Sequence, residues 1–87
     1  MASVRNLKKD INYVLGDIIE TVYLWENQND GKTPESDAII DDAIKVFDDL
    51  MEKVNQRKVD NKKAHFGDIR AELETEANKL VERINKL

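Results

Sequence analysis

The fold of this chain depends on the conformation of residues 56–63, which read QRKVDNKK. This stretch contains no glycine or proline, and Val59 is its single apolar residue. Apolar residues repeat at helical spacing on both sides of it, and at about 100° per residue the two apolar stripes are out of phase by roughly a third of a turn. We therefore predict a bend here, with Asp60 as the N-cap of a new helix and with Val59 and Ala64 in contact across that cap.

The alternative is one uninterrupted helix from Pro34 to Leu87, which would be about 80 Å long at a rise of ~1.5 Å per residue. Such a rod would need a partner chain to cover its apolar faces. A bend near Val59 instead allows the C-terminal third to pack against the rest of the same chain.

The first predicted helix covers about residues 3–26. Its apolar stripe has a period of about 3.6 residues and consists of Val4, Leu7, Ile11, Val14, Leu15, Ile18, Ile19, Val22 and Trp25. Gly16 lies in the middle of this helix, where glycine costs about 1 kcal/mol relative to alanine. Either Gly16 simply weakens the helix, or it allows another backbone to come close.

A turn is predicted at residues 27–33, NQNDGKT, because these residue types favour turns. Thr33 and Pro34 then match an N-cap followed by proline at the first helical position. The second helix covers about residues 34–56 and has an apolar stripe of Ile40, Ala43, Phe47, Leu50 and Val54. The third covers about residues 61–86 and has a stripe of Phe66, Ile69, Leu73, Ala77, Leu80, Ile84 and Leu87.

The sequence therefore predicts an all-α, up-down-up three-helix bundle, because helices of matched length joined by short connections pack as antiparallel neighbours. Its 87 residues are enough for one domain, 1–87, and its 40% of apolar residues are enough for one core.

Several classes of chemical site lack their sequence signatures. The absence of cysteine excludes thiolate metal sites and cysteine nucleophiles. Lys62 stands three residues before His65, so the Glu-x-x-His motif of di-iron bundles is missing. The acidic pairs at 41–42 and 48–49 lie on one helix, which alone cannot supply the six or more converging oxygen ligands of calcium. We expect no metal, no cofactor and no enzyme activity, although a catalytic role for His65 would be the remaining enzymatic alternative.

The net charge of −4 argues against a dedicated nucleic-acid-binding protein. No signal peptide and no membrane-spanning stretch can be recognised, so we expect a cytoplasmic location without membrane contact.

Basic residues gather at one end of the predicted bundle. The candidate anion-binding residues there are Lys8, Lys9, Arg57, Lys58, Lys62 and Lys63, accompanied by Arg5 and Lys53. These residues either bind a phosphate group or an acidic partner at the start of the third helix, or they balance the negative end of the second helix dipole and improve solubility. No aromatic residue is interleaved among them for base stacking, which argues further against nucleic acid.

Tyr13 and Leu24 lie close together in angle on the side of the first helix opposite its apolar stripe. Either a neighbouring loop covers Leu24, or Leu24 and Tyr13 belong to a surface that binds another protein or a second copy of this chain. Two scattered exposed apolar residues are also normal on any protein.

Residues 6–19, NLKKDINYVLGDII, and residues 61–66, NKKAHF, resemble segments of a group of short, uncharacterised bacterial helical proteins. The resemblance spans most of the chain and implies a free-standing small helical protein. It brings no activity, cofactor or binding residue with it. The function expected from the sequence is therefore that of a protein-interaction or structural module, and the alternative is binding of an anion or ligand, phosphate or nucleic acid, at the basic end.

Overall fold

The computed structural model of this protein describes residues 4–29, 31–56 and 59–87. These residues form three helices: α1 (Val4–Gln28), α2 (Pro34–Val54) and α3 (Lys62–Asn85). Every pair of helices is in contact, and the molecule measures 48 × 17 × 17 Å. The start of α1 lies beside the start of α3, because Asp10 pairs with Arg70. The predicted all-α bundle with up-down-up helices is confirmed.

The core lies along the shared axis of the three helices. Its fully buried side chains include Leu7, Ile11 and Leu15 of α1, Ile39 and Leu50 of α2, and Ile69 of α3. Two members of the predicted α1 stripe depart from this core. Val4, the first residue of α1, is 39% exposed because it lies at the open end of the bundle. Trp25 is half-buried, since so large a side chain is rarely covered completely.

The connection between α1 and α2 is held by local hydrogen bonds. Gly31 has φ of 106°, a left-handed conformation that glycine adopts without strain, and its N–H donates to the Glu26 carbonyl at 2.7 Å. Thr33 Oγ1 accepts from the Ser36 N–H at 3.0 Å, and Ser36 Oγ accepts from the Thr33 N–H at 2.9 Å. This reciprocal pair forms a capping box, which confirms Thr33 as the N-cap and Pro34 at the first helical position.

The break between α2 and α3 excludes the single long helix, because α2 ends at Val54 and α3 begins at Lys62. The predicted cap was wrong by one residue: Asn61, not Asp60, is the N-cap, and its Oδ1 accepts from the Ala64 N–H at 3.2 Å. Val59 therefore lies two positions before the cap, which is one position too early for the predicted contact with Ala64.

His65 joins the start of α3 to the end of α2. Its Nε2 lies 2.7 Å from the carbonyl oxygen of Lys53 in the last turn of α2. Because a carbonyl oxygen can only accept, Nε2 is the donor. The last carbonyls of a helix have no partner within the helix, so α3 supplies a partner for one of them from its own first turn.

Candidate functional site

Exposed apolar side chains are concentrated on α1. Among the described residues, the large apolar side chains with substantial exposure are Val4, Tyr13, Tyr23, Leu24, Ile44 and Val81. The first four belong to α1, whereas α2 and α3 contribute one each. Tyr13 at 62% and Leu24 at 56% are the most exposed of the set. The two residues that the sequence identified as a candidate partner surface are therefore uncovered, and no described loop shields Leu24.

Tyr13 and Leu24 share one face of α1. Their separation of eleven residues corresponds to about three turns, so they differ by only about 20° in angle and lie roughly 16 Å apart along the axis. Asp17 and Glu20 lie between them on the same side, and Gly16 lies at its edge. All five residues are exposed. We call Tyr13, Gly16, Asp17, Glu20 and Leu24 together the outer face of α1.

The two carboxylates in the middle of the outer face of α1 have no cation close to them in the sequence. No lysine or arginine occurs between Lys9 and Lys32. Two other acidic residues of α1 are engaged elsewhere in the fold, since Asp10 pairs with Arg70 at 2.9 Å and Glu26 accepts a hydrogen bond from Ser36. The carboxylates of Asp17 and Glu20, in contrast, have no ion pair or hydrogen bond with any described residue.

Gly16 leaves open space on this face. A Cβ added to Gly16 would have no atom within 4 Å beyond its chain neighbours and the backbone of its own helix. Of the two interpretations of this glycine, close approach of another backbone from within the described chain is therefore wrong. Tyr13 and Glu20 are its neighbours three residues before and four residues after, so the missing side chain leaves a shallow depression between them.

Lys9 helps to fix the position of the Tyr13 ring. Its ammonium nitrogen lies 5.7 Å from the ring centroid, within the range of a cation–π interaction. Such an interaction is worth about 0.5–1 kcal/mol at an exposed site. It restricts the ring at the N-terminal end of the outer face.

The predicted basic end is only partly available for a ligand. Lys62 and Lys63 are exposed at the start of α3 and Lys8 is half-buried on α1, whereas Arg57 and Lys58 lie outside the described residues. Lys9 is directed to Tyr13, and the N–H of Ala64 is already bonded to the Asn61 side chain.

Lys53, which belongs to the same basic end, is engaged by α3. Its Nζ donates to both carboxylate oxygens of Glu72, at 2.6 and 2.8 Å. This hydrogen bond, supported by the negative charges of Glu72, Asp49 and Glu76, raises the pKa of Lys53 above its ordinary value of 10.5 despite partial desolvation. Lys53 therefore acts as a link between α2 and α3.

Clusters suited to metal binding do not occur in the part of the chain that the structure describes. No three histidine, aspartate or glutamate side chains converge as metal ligands there. His65 contacts the Lys53 carbonyl and the Phe66 ring, whose centroid lies 5.6 Å from its own. Asp41 and Asp48 are exposed on α2. None of the described helices is both long enough and apolar enough to cross a membrane.

A groove of about 360 Å³ runs between α2 and α3. Its walls carry charges of both signs, and its floor is formed by Val46, Leu50 and Leu80. Arg83 pairs with Asp42 and Lys79 with Glu76 across or along the walls, and Glu72 pairs with Lys53, which lies outside the groove lining. Lys45 and Asp49 add one wall charge of each sign. The groove therefore has little unbalanced charge with which to select a ligand.

Sequence reasoning missed Glu26, which is only 5% exposed. Ser36 Oγ lies 2.6 Å from Glu26 Oε2 and donates to it, so a buried carboxylate joins the end of α1 to the start of α2. Its burial could have been predicted from position, because Glu26 follows Val22 by four residues and so lies on the core stripe. A charged side chain at such a position is nevertheless ordinarily expected to lie in solvent.

No protein-family model matches the chain, and no curated protein or solved structure shows significant similarity to it. The resemblance of residues 6–19 and 61–66 to short bacterial helical proteins therefore stays a prediction.

Proposed function

We propose that this chain is a non-enzymatic, cytoplasmic interaction module that binds another protein through the outer face of α1. The observation that supports this proposal is the exposure of Tyr13 and Leu24, at 62% and 56%, on one face of one helix. Single exposed apolar residues are normal on any protein. Two large ones on a shared face, beside carboxylates that have no partner among the described residues, favour a surface that another molecule covers.

Binding of a phosphate group or another anion at the basic end has less support. Lys53 and Lys9 have partners within the chain, and the Asn61 side chain occupies one of the first backbone donors of α3. The other described cations of the basic end lie on two separate helices: Arg5 and Lys8 on α1, and Lys62 and Lys63 on α3. Their position also agrees with a simple solubilising role.

Site-specific photo-crosslinking in the native cells tests the proposal. A benzoylphenylalanine residue is placed at position 24 of the full chain, and in separate variants at position 48 of α2 and position 78 of α3. Asp48 and Asn78 are exposed as Leu24 is, so all three probes can reach a molecule in solution. We expect a discrete protein adduct from position 24 and none from positions 48 and 78. The absence of an adduct at position 24, or equal adducts at all three positions, would overturn the proposal.

A further inference from the structure

We infer that the segment bound by the outer face of α1 is a basic amphipathic helix of another protein. This inference rests on the proposed function and adds the chemistry of the partner to it. It depends on three properties of the face: its unpaired negative charge, its spacing of apolar residues and the depression at Gly16.

The charge of the face selects a cationic partner. Asp17 and Glu20 are exposed and have no partner among the described residues. From Asp10 to Gly31 the chain contains no lysine or arginine, so no local cation neutralises them. Complementary charge across an interface raises the association rate and disfavours partners of like charge.

The shape of the face favours a helix as the occupant. Tyr13 and Leu24 lie about three turns apart, a distance that the apolar stripe of a helix of three to four turns can match. The depression at Gly16 can receive one side chain of such a stripe, in the way that ridges of one helix enter the grooves of another. An extended peptide would gain less, because a helix offers no row of free backbone donors and acceptors as a sheet edge does.

A second copy of this chain does not fit the same face. Asp17 and Glu20 are placed symmetrically about the midpoint between Tyr13 and Leu24. A two-fold pairing that sets Tyr13 of one copy against Leu24 of the other therefore also sets Asp17 against Glu20. Four carboxylates would then meet near the symmetry axis without a cation, which repels the two copies.

Peptide titrations of the full chain, followed by backbone amide chemical shifts, test this inference. The cationic probe is a leucine–lysine amphipathic peptide of about 18 residues, long enough for five turns. The second probe has the same leucines with glutamate in place of each lysine, and the third has glutamine there. We expect the cationic peptide to shift the amides of residues 13–24, and the other two to bind at least about tenfold more weakly.

A pair of matched variants separates this surface from the general acidity of the chain. Asp17→Asn with Glu20→Gln removes two negative charges from the outer face, and Asp41→Asn with Asp48→Asn removes two from the exposed side of α2. We expect the first variant to weaken binding of the cationic peptide by about tenfold and the second by less than about twofold, since screening limits the reach of exposed charges to about a Debye length.

The outcomes distinguish the inference from the proposed function. Equal binding of the three peptides to residues 13–24 would overturn the basic partner while leaving the crosslinking result at position 24 to support the function. Equal weakening by the two variants, or shifts confined to the α2–α3 groove, would also overturn the inference. A discrete adduct at position 24 that maps to an acidic or non-helical segment would do the same.

Discussion

The outer face of α1 and the seam between α2 and α3 use charged residues in opposite ways. Along the seam, Lys53 pairs with Glu72 and Arg83 with Asp42 across the two helices. On the outer face of α1, Asp17 and Glu20 have no such partner among the described residues, and the apolar side chains beside them are uncovered.

This difference shows which charged surface groups of the bundle have partners on a neighbouring helix and which have none among the described residues. The seam side chains are roughly 40–50% exposed, so each pair stabilises the fold by less than about 1 kcal/mol, and their main effect is to align α2 with α3. Among the described residues, the carboxylates of the outer face of α1 make no ion pair with another helix. These carboxylates are therefore free to interact with another molecule.

The outer face of α1 can bind a partner only if α1 is held firmly against the rest of the bundle. The variant Ser36→Ala tests this, because Ser36 joins the start of α2 to the end of α1. The substitution removes the donor to the buried Glu26 carboxylate and one half of the capping box. We expect the free energy of unfolding to fall by about 2–3 kcal/mol, because an unsatisfied buried group and a weakened cap both cost stability. Chemical denaturation followed by circular dichroism measures it.

Thr21→Ala is the control for that variant, because Thr21 Oγ1 donates to the Asp17 carbonyl on the exposed side of α1. We expect a change of less than about 0.5 kcal/mol. Equal losses in the two variants would show that the Glu26–Ser36 hydrogen bond has no special role.

The double variant Tyr13→Ala with Leu24→Ala separates binding from folding. Both side chains are mostly in solvent, so unfolding should change by less than about 1 kcal/mol. Binding of the cationic peptide should weaken by about tenfold or more, because truncation of the few anchor residues that dominate an interface costs about 2 kcal/mol or more. Isothermal titration calorimetry measures the binding.

Its matched control is Ile44→Ala with Val81→Ala, which removes the exposed apolar side chains of α2 and α3. Peptide affinity should stay within about twofold of the parent chain. If this control weakens binding as much as the α1 variant, the interaction is a general property of the surface.

The two mid-helix glycines give a finer test. A Cβ at Gly16 or Gly67 would have no atom within 4 Å beyond its chain neighbours and the backbone of its own helix. Alanine at either position should therefore raise the free energy of unfolding by about 0.5–1 kcal/mol. The bulkier Gly16→Leu should weaken peptide binding by filling the depression, whereas Gly67→Leu on α3 should not. Equal peptide affinity of these two leucine variants would contradict a role for the depression.

The smallest expected effect concerns the seam and its pH dependence. The raised pKa of Lys53 means that its pairing stabilises the fold fully below pH 10.5 and that this contribution is lost as pH rises through the folded-state pKa. Lys53→Met should cost less than about 1 kcal/mol near neutral pH. The difference from the parent chain should shrink in strongly alkaline solution.

Lys79→Met is the control, because Lys79 makes a longer 3.5 Å contact with Glu76 and is 65% exposed. Its effect should be smaller at every pH. Thermal denaturation of both variants across the alkaline range checks the ordering, and an equal pH trend in both would remove the special role of the Lys53–Glu72 pair.

Local rules of sequence predicted the helices and the first turn well. The apolar period located all three helices, and Thr33 with Pro34 marked the start of α2 as the structure has it. At the second break the choice between Asp60 and Asn61 could not be made locally, since both residue types make good caps. Long-range packing decides which of the two residues is the cap. The contact of His65 with the Lys53 carbonyl sets the rotation of the first turn of α3, and with it the residue at which α3 begins.

The candidate surface was predictable only in part. Helical angle alone placed Tyr13 and Leu24 together, away from the core. Asp17 and Glu20 have no partner among the described residues because the basic side chain that α3 directs to α1, Arg70, pairs with Asp10 instead. Tertiary partners of this kind cannot be read from spacing along one helix.

Reversal of charge on the outer face of α1 is the decisive test of a basic partner. In Asp17→Lys with Glu20→Lys, both replaced side chains are exposed and the fold should be retained. We expect the preference of the full chain to invert, so that the glutamate peptide binds residues 13–24 more tightly than the lysine peptide. Undiminished binding of the lysine peptide to the reversed chain would contradict this expectation.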